Sequence, residues 1–346
     1  MKLRVGIVGA GSMGRKRAAA LGPEAELVCV ADAYLEAARD LALQYGAKWE
    51  GGAACWRTLI AQNVDVVIVS TSHVALAAIS IAALNADKHV LVEKPAGRTV
   101  SELFALRRVQ CDHDSVLRVG CNHRFHPGIA QARDWLGAGL IGDVLHIKAR
   151  YGHGGRRGYE SEWRMRPALS GGGELIDQGV HLIDLCNWLV GAFELEWGDI
   201  SAQHWKSPVE DNALVVLRRG PVRATLQVSC TEWVNTFEFE IFGALGKIAV
   251  KGLGRSYGPE KARLTVLDET EMWPPARDGT IVYEDKDVSW RAEWLGFVAA
   301  IEASKRGPVG PERVSDNATI QDAERAMRIV HDVYRRCDAS WLSEAR

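Results

Sequence analysis

The chain has 346 residues, which is long enough for two domains that each bury a hydrophobic core. The formal net charge of −2 and the sequence pI of about 6.6 give no basic field that would attract nucleic acid or an anionic membrane. The seven cysteines are scattered and form no Cys-x-x-Cys pair, which predicts reduced thiols in a cytoplasmic protein rather than a disulfide framework or a zinc ribbon. We expect no signal peptide, because a strand starts within a few residues of the N-terminus, and no membrane span, because no apolar stretch is long enough.

The first element is a predicted strand at 5–8, which runs into a loop with the spacing Gly-x-Gly-x-x-Gly, and a helical pattern follows at 15–21. The first glycine of such a loop permits a tight turn, the second lets a pyrophosphate approach the backbone, and the third lets the helix lie close to the strand. The phosphates would bind the free N–H groups at the helix N-terminus. The loop residues that we expect to contact the cofactor are Gly9, Gly11, Ser12, Met13 and Gly14.

A second strand, 27–31, ends at Asp32. An acid at this distance from the glycines bonds the ribose hydroxyls of the adenosine. Because a carboxylate repels a 2′-phosphate, the sequence favours NAD over NADP. The alternative is a glycine-rich turn followed by an acid that caps the next helix, but strand, turn, helix, strand and acid all occur in the expected order.

Strands and helices alternate up to about residue 120, which predicts an α/β domain with a doubly wound parallel sheet. Ligands of such sheets bind beyond the carboxyl ends of the strands, where Asp32, Thr71, Lys94 and Asn122 would lie. In chain order, the elements predicted after Asp32 are helices at 35–45 and 56–62, a strand at 64–70, a helix at 74–85, a strand at 89–92, a helix capped by Ser101 and a strand at 116–119.

The pattern then becomes alternating and rich in turns, which predicts an antiparallel sheet with one exposed or partner-covered face. The stretch 152–173 is rich in Gly and Arg, and we expect it to form a loop over the active site. The predicted strands lie at 144–151, 213–217, 224–229, 237–242, 247–251 and 263–267, and the helices lie at 129–138, 175–189, 290–304 and 317–337.

The helix at 175–189 carries Asp177, His181 and Asp184, whose spacings of four and three place them on roughly one face. Histidine is suited to take a hydroxyl proton near neutral pH, and a nearby carboxylate would orient its ring. Lys94 could hold the same hydroxyl through its ammonium group. Three glycines at 171–173 would let the chain approach a ligand closely just before this helix.

Each of these signals has a plainer interpretation. A histidine and an aspartate four residues apart are often a satisfied surface pair, and Lys94, before a proline at a strand end, is typical of a solvated terminus. We expect Asp184 to bond the backbone or to cap a neighbour. His123 and His126 lack a third ligand at matching spacing, so we expect no metal. Most of the 12 tryptophans are expected in the core or at an interface, although such rings could stack on a sugar.

Four stretches together resemble the Gfo/Idh/MocA oxidoreductases, the glucose–fructose oxidoreductase and inositol dehydrogenase family. They are the glycine loop with Asp32, Glu-Lys-Pro at 93–95, Asn-His-Arg-Phe at 122–125 and the stretch 171–184 with the pattern Gly-x-x-x-Asp-x-Gly-x-His-x-x-Asp. The resemblance covers essentially the whole chain, and the Glu-Lys-Pro and histidine motifs are more specific than the glycine loop. Many members carry Thr-Pro-Asn-x-x-His after the fourth strand, where this chain has Thr-Ser-His-Val-Ala-Leu at 71–76.

The resemblance implies an NAD-binding Rossmann domain at 1–121 and, at 122–346, an α+β domain for substrate binding and oligomerisation with an open, mostly antiparallel sheet. It implies that Lys94, Asp177 and His181 are catalytic, with His181 as the general acid/base and Lys94 polarising the reacting oxygen. These three and Arg124 would contact the substrate. The further cofactor contacts that we expect are Thr71, His73, Glu93, Lys94, Asn122, Trp163 and Arg164.

These observations predict an NAD-dependent oxidoreductase that acts on a secondary alcohol or ketone of a sugar, cyclitol or sugar derivative, as a homodimer or homotetramer. The arginines at 156, 157, 164 and 166 could hold an acidic or nucleotide-linked sugar, or they could form salt bridges in a solvated loop. Two other functions stay open. One is a glycosidase or lyase that keeps NAD bound and turns over without net redox change. The other is a sensor of NAD or sugar that performs no catalysis.

Overall fold

The computed structural model describes residues 2–267, 277–305 and 316–339. By contact, the chain divides into a first unit of Met1–Asn122 with Trp290–Glu324 and a second unit of His123–Ser289 with Arg325–Arg346. The sequence places all of 122–346 in one domain, whereas the segment Trp290–Glu324 groups with the first unit. The predicted roles of 1–121 in cofactor binding and of 122–346 in substrate binding stay predictions.

The helices of the described residues are α1 Ser12–Ala20, α2 Leu35–Tyr45, α3 Cys55–Ile60, α4 His73–Leu84, α5 Val100–Cys111, α6 Pro127–Gly137, α7 Pro167–Ser170, α8 Val180–Val190, α9 Ser289–Ser304 and α10 Ile320–Arg336. Short 3₁₀ turns lie at Asn122–Phe125, Tyr159–Ser161, Trp163–Met165 and Arg255–Tyr257, and a π turn lies at Leu175–Gly179. In the described parts of the chain, every helix is too short or too polar to cross a membrane.

The first unit is built on a six-stranded sheet in the order β3-β2-β1-β4-β5-β6, and each pair of neighbours is parallel. Its strands are β1 Leu3–Val8, β2 Ala25–Asp32, β3 Lys48–Gly51, β4 Val66–Val69, β5 His89–Glu93 and β6 Leu117–Gly120. The doubly wound parallel sheet predicted from the sequence is confirmed. Every residue of β4 is buried, as its unbroken apolar run requires in a sheet covered on both faces.

Helix α9 packs against this sheet although it follows the second unit in the chain. Trp294 and Phe297 of α9 belong to the same buried cluster as Val5 and Ile7 of β1. Burying these two aromatic rings accounts for the return of the chain to the first unit.

The start of α5 corrects one expectation. The cap is Thr99, whose hydroxyl accepts a hydrogen bond from the Glu102 N–H at 3.2 Å, and Ser101 lies inside the helix. The prediction of Ser101 as the cap is therefore wrong by two residues. Two hydroxyl side chains stand close together here, and the chain uses the earlier one.

The second unit contains an eight-stranded sheet in the order β14-β13-β12-β11-β7-β10-β9-β8. Its strands are β7 Val144–Gly152, β8 Glu194–Ser201, β9 Asn212–Arg219, β10 Val222–Ser229, β11 Thr236–Gly243, β12 Gly246–Lys251, β13 Lys261–Val266 and β14 Arg277–Val282. Among the strands of the described residues, only β7 and β10 of this sheet pair in parallel, so the prediction of a mostly antiparallel sheet is confirmed. The segment expected to be a loop at 152–173 contains two 3₁₀ turns and α7, and the helix expected at 175–189 starts as the π turn and continues as α8.

Candidate active site

The candidate residues fall in both units. In the first unit, the glycine loop has two positions where the fold excludes a side chain. Gly9 has a φ of +99°, and a Cβ there would lie 2.4 Å from the Ser70 carbonyl oxygen. A Cβ at Gly14 would lie 1.9 Å from the Gly9 carbonyl oxygen. These two glycines therefore serve the tight turn and the close packing of α1 on β1, as their spacing predicts.

Gly11 differs from the other two glycines of the loop. A Cβ at this position would meet no protein atom within 4 Å, and the backbone is extended, with φ −68° and ψ −165°. Neither packing nor conformation requires glycine here. Gly11 is the N-cap of α1 and makes no side-chain cap, so the chain offers bare backbone N–H groups where a pyrophosphate would approach. The loop therefore fits the NAD phosphates.

Asp32 joins the end of β2 to this loop. One carboxylate oxygen accepts from the Ala10 N–H at 2.7 Å, and the other accepts from the Tyr34 N–H at 2.8 Å, just before α2. The carboxylate thus steadies the glycine loop and also bonds the start of the next helix. An ionised carboxylate offers about four acceptor positions, so these two bonds leave capacity for ribose hydroxyls.

The carboxyl edge of the first sheet collects the other expected cofactor residues of this unit. Asp32 ends β2, and Thr71, Lys94 and Asn122 follow β4, β5 and β6, which all run in the same direction. Lys94 precedes a cis peptide bond to Pro95. His73 is buried at the start of α4. Their contacts with a cofactor stay predictions.

Glu93 has a partner that the sequence analysis missed. Its Oε1 accepts from Nε of Arg17 at 2.7 Å, and the same guanidinium bonds Glu293 of α9. All three side chains are buried. Burial alone would lower the pKa of Arg17, but the charges of Glu293 and Glu93 outweigh it and raise the pKa above its ordinary value. A Cβ at Gly120 would lie 2.3 Å from an Arg17 nitrogen, so that glycine makes room for the cluster.

In the second unit, Asp177 lies on the π turn and His181 lies on α8, and both side chains are almost fully buried. One carboxylate oxygen of Asp177 accepts from Nε of Arg164 at 2.9 Å. The Arg164 guanidinium lies over the Trp163 ring, 4.7 Å from its centroid. The structure thus brings together three predicted residues, Asp177, Arg164 and Trp163.

Asp184 corrects another expectation. It accepts from Nε of Arg124 at 2.8 Å and bonds a second nitrogen of the same guanidinium, so this is a bidentate pair between buried side chains. The prediction that Asp184 bonds the backbone or caps a neighbour is therefore wrong. The contact of Arg124 with the substrate stays a prediction. Its guanidinium anchors the turn Asn122–Phe125 to α8 through the pair with Asp184.

Two of the three glycines before the π turn pack against protein atoms. A Cβ at Gly172 would lie 2.1 Å from the Tyr334 hydroxyl, and a Cβ at Gly173 would lie 1.9 Å from the Glu210 carbonyl oxygen. At these two positions glycine makes room for neighbouring protein atoms, whereas the sequence analysis expected it to serve the approach of a ligand.

The buried carboxyl group of Glu210 accepts three hydrogen bonds, and the sequence did not single this residue out. Its carboxyl group accepts from the N–H groups of Gly173 at 2.9 Å and Leu175 at 3.0 Å, and from the Tyr334 hydroxyl at 2.7 Å. Burial raises its pKa from 4.5 to about 7, against the opposing effect of these hydrogen bonds. Glu210 and Tyr334 therefore hold the start of the segment that carries Asp177 and His181.

The two histidines considered as metal ligands have other contacts. The His123 ring stacks on the His181 ring with 3.8 Å between centroids, and Nδ1 of His126 bonds Glu260 at 3.0 Å. Across residues 2–267, 277–305 and 316–339, no three His, Cys, Asp or Glu side chains come together as a metal site. The expectation that the protein needs no metal stays a prediction.

The arginines of the predicted loop mostly have partners within the second unit. Arg156 pairs with Glu162 at 2.6 Å, Arg164 pairs with Asp177, and Arg166 donates to the Ser161 carbonyl at 3.1 Å. These contacts agree with the salt-bridge interpretation of the arginine-rich stretch.

Two family models match this chain. Residues 3–121 match the model described as the oxidoreductase family, NAD-binding Rossmann fold, and residues 129–249 match the GFO/IDH/MocA C-terminal domain. The chain belongs to the Gfo/Idh/MocA family. Its first unit is the NAD-binding Rossmann fold of this oxidoreductase family, in agreement with the geometry at Gly11 and Asp32.

Several dehydrogenases of sugars and cyclitols are similar to this chain. Levoglucosan dehydrogenase of Pseudarthrobacter phenanthrenivorans is 32% identical over 204 residues, which are 55% of this chain and 52% of that protein. The match to D-glucoside 3-dehydrogenase of Escherichia coli is 32% over 200 residues, 55% of this chain and 54% of that one. This chain therefore matches about half the length of these two relatives. The inositol 2-dehydrogenase/D-chiro-inositol 3-dehydrogenase of Shouchella clausii is 26% identical over 88% of this chain and 90% of its own length.

A solved structure of levoglucosan dehydrogenase in complex with NADH and levoglucosan superposes with a TM-score of 0.81 and 23% identity, covering 97% of this chain and 98% of that one. At this identity the likeness shows the fold. It confirms the expected Rossmann sheet followed by the mostly antiparallel sheet.

Proposed function

We propose that this chain is an NAD-dependent dehydrogenase or reductase that acts on a secondary alcohol or ketone of a sugar or cyclitol. The observation that carries the proposal is the buried histidine at 181, one turn after a buried aspartate and on the specific family motif. The chain also carries the NAD-binding fold. In this proposal His181 accepts the proton and the bound NAD accepts the hydride. Relatives named as levoglucosan, glucoside and inositol dehydrogenases support this choice of substrate class.

We propose roles for the three catalytic candidates. His181 takes the proton of the substrate hydroxyl during oxidation and returns it during reduction. Asp177 orients the substrate or the histidine, and Arg164 holds the Asp177 carboxylate in place. The ammonium group of Lys94 bonds the reacting oxygen and makes its hydroxyl more acidic. Bound NAD supplies the hydride acceptor, and NADH supplies the donor.

The cofactor contacts in this proposal are those expected from the sequence. They comprise the glycine loop, Asp32 on the ribose, and Thr71, His73, Glu93, Asn122 and the Trp163–Arg164 pair along the rest of the cofactor. The bond from Asp32 to the loop supports the first part, because it fixes the carboxylate beside the phosphate-binding backbone.

We further propose that the substrate is a neutral sugar or cyclitol. A phosphorylated or nucleotide-linked sugar would need cations to bind its phosphates. In the arginine-rich stretch, two of the four arginines, Arg156 and Arg164, already pair with the carboxylates of Glu162 and Asp177. Levoglucosan and inositol, after which two of the relatives are named, are neutral polyols. We also propose that the protein is cytoplasmic and assembles as a homodimer or homotetramer through its second unit.

The first test uses the purified protein as isolated. After denaturation, any released nicotinamide nucleotide is identified, and the native protein is screened with levoglucosan, glucosides, inositols and nucleotide sugars at the absorbance band of the reduced nicotinamide. We expect NAD and a neutral polyol that reduces it. Product formation without net reduction would instead support a redox-neutral glycosidase or lyase, and tight NAD binding without any turnover would support a sensor.

A further inference from the structure

His123, on the 3₁₀ turn Asn122–Phe125, lies flat against His181 of α8. The two ring centroids are 3.8 Å apart and the planes meet at 27°, which is a stacked pair. Both side chains are nearly fully buried, with 5% and 4% of their surface exposed. The proposed base therefore shares its buried site with a second imidazole in direct contact.

The surroundings hold His123 in this position. Its ring contacts the rings of His126, Tyr151 and Phe237, with centroids 5.5, 5.1 and 5.8 Å away. The next residue, Arg124, is tied to Asp184, three residues after His181 on the same helix. The turn is thus attached to α8 by two consecutive side chains, and the stack is part of a fixed arrangement.

Several charged and titratable groups of the second unit lie around the pair. Asp177 on the π turn pairs with Arg164, Asp184 on α8 pairs with Arg124, and Glu260 pairs with His126, which is also 4.0 Å from Asp287. Tyr151 on β7 is hydrogen-bonded to Tyr257. Glu174, just before the π turn, lies 3.5 Å from His153. Two of these carboxylates, Asp177 and Asp184, thus face a guanidinium at 2.9 and 2.5 Å.

We propose that His123 and His181 bind a single proton between them, and that His123 is a positioning residue that keeps His181 available as a base. Two imidazolium rings at this separation repel each other, and burial disfavours each charge. A proton on His123 therefore keeps one off His181, and at every pH His181 is less protonated than it would be beside a ring that cannot titrate. The inference rests on the proposed role of His181 only for its effect on catalysis.

The direct test is the titration of the histidine rings by NMR in protein labelled with ¹³C-histidine, for the wild type, His123→Phe and His181→Phe. Phenylalanine keeps a flat ring in the stack and removes the second proton site. We expect two-step titration curves for the two rings in the wild type and a one-step curve for the remaining ring in each variant. At pH 5, the protons bound by the remaining ring of each variant should add up to more than the protons bound by the wild-type pair. A wild-type titration equal to the sum of the two variants would overturn the proposal. If a variant does not fold, one-step, independent curves in the wild type alone would do the same.

The test in catalysis follows the acid limb of the pH profile of kcat/KM. His123→Phe should move this limb to higher pH by about one pH unit, because His181 then takes its proton without competition. His123→Ala should also lower kcat more than His123→Phe does, because it removes the stack, while the KM for NAD changes little. His146→Phe is the matched control, since His146 stacks on Phe242 at 4.3 Å on the sheet and should leave the limb in place.

The two experiments separate the two proposals. Uncoupled titrations by NMR refute the shared proton whatever the activity shows. Coupled titrations with an unmoved acid limb support the shared proton and refute the role of His181 as the base. Coupled titrations with a limb that moves upward support both.

Discussion

Replacing Glu210 by glutamine should change the pH dependence of folding stability. In the folded protein, burial raises the pKa of this carboxyl from 4.5 to about 7, so between these values it holds a proton that the unfolded chain has released. The folded state then binds more protons than the unfolded state, and the free energy of unfolding falls as the pH rises. At about 1.4 kcal/mol per pH unit, the whole change is about 3 kcal/mol, present below pH 4.5 and lost by about pH 7.

The assay is urea unfolding of the wild type and Glu210→Gln at several pH values from 4.5 to 8. Subtracting the two curves removes the contributions of all other groups, and the wild type should lose about 3 kcal/mol relative to the variant across this range. Glu238→Gln, at a partly exposed carboxylate that pairs with Lys251 on the sheet, is the matched control and should run parallel to the wild type. A constant difference between wild type and Glu210→Gln would refute the reasoning that burial, rather than the three hydrogen bonds, controls this carboxyl group.

Three further predictions concern the candidate site. His181→Ala should lower kcat by about 10² to 10⁴ and leave the dissociation constant of NAD nearly unchanged; an equal loss of both would make His181 structural. Asp32→Ala should weaken NAD far more than NADP in equilibrium binding, because the carboxylate bonds the ribose and repels a 2′-phosphate, and indifference would contradict the ribose assignment. Gly14→Ala should destabilise the fold by about 3 kcal/mol in thermal unfolding, whereas Gly11→Ala should change stability little and weaken NAD, since only the first variant meets a protein atom. A stable Gly14→Ala protein would count against the close packing of α1.

Where a local pattern determined the structure, the sequence predicted it. The run at 64–70 is apolar throughout because β4 is covered on both faces, and the glycine loop is legible because Gly9 and Gly14 are excluded from carrying a side chain by backbone atoms nearby. The strands that the pattern does not predict are β3, β8 and β14, which lie at the edges of the two sheets. An edge strand such as Lys48–Gly51 is mostly exposed and needs no apolar alternation, so it leaves little signal.

The contacts that the sequence could not predict join residues far apart in the chain. Arg17 meets Glu93 and Glu293, and Glu210 meets Tyr334, over separations of 76, 276 and 124 residues. The sequence around a charged residue does not indicate which distant residue will pair with it. Glu93 could therefore be identified as a candidate only from the Glu-Lys-Pro motif at 93–95. The glycine run at 171–173 was visible in the sequence, but the reason for glycine at 172 and 173 was not, because the atoms that would clash with a side chain belong to Tyr334 and Glu210.

The cluster of Arg17, Glu93 and Glu293 also bears on how the chain is made. Arg17 and Glu93 leave the ribosome early, but Glu293 follows only after all of residues 123–289 have been synthesised. At about 5 to 20 residues per second, the nascent first unit spends roughly 10 to 30 seconds without the carboxylate and the aromatic rings of α9. During that interval the face of the β1–β6 sheet that α9 will cover stays exposed. We therefore expect the protein to depend most on chaperones while the nascent chain ends before Trp290.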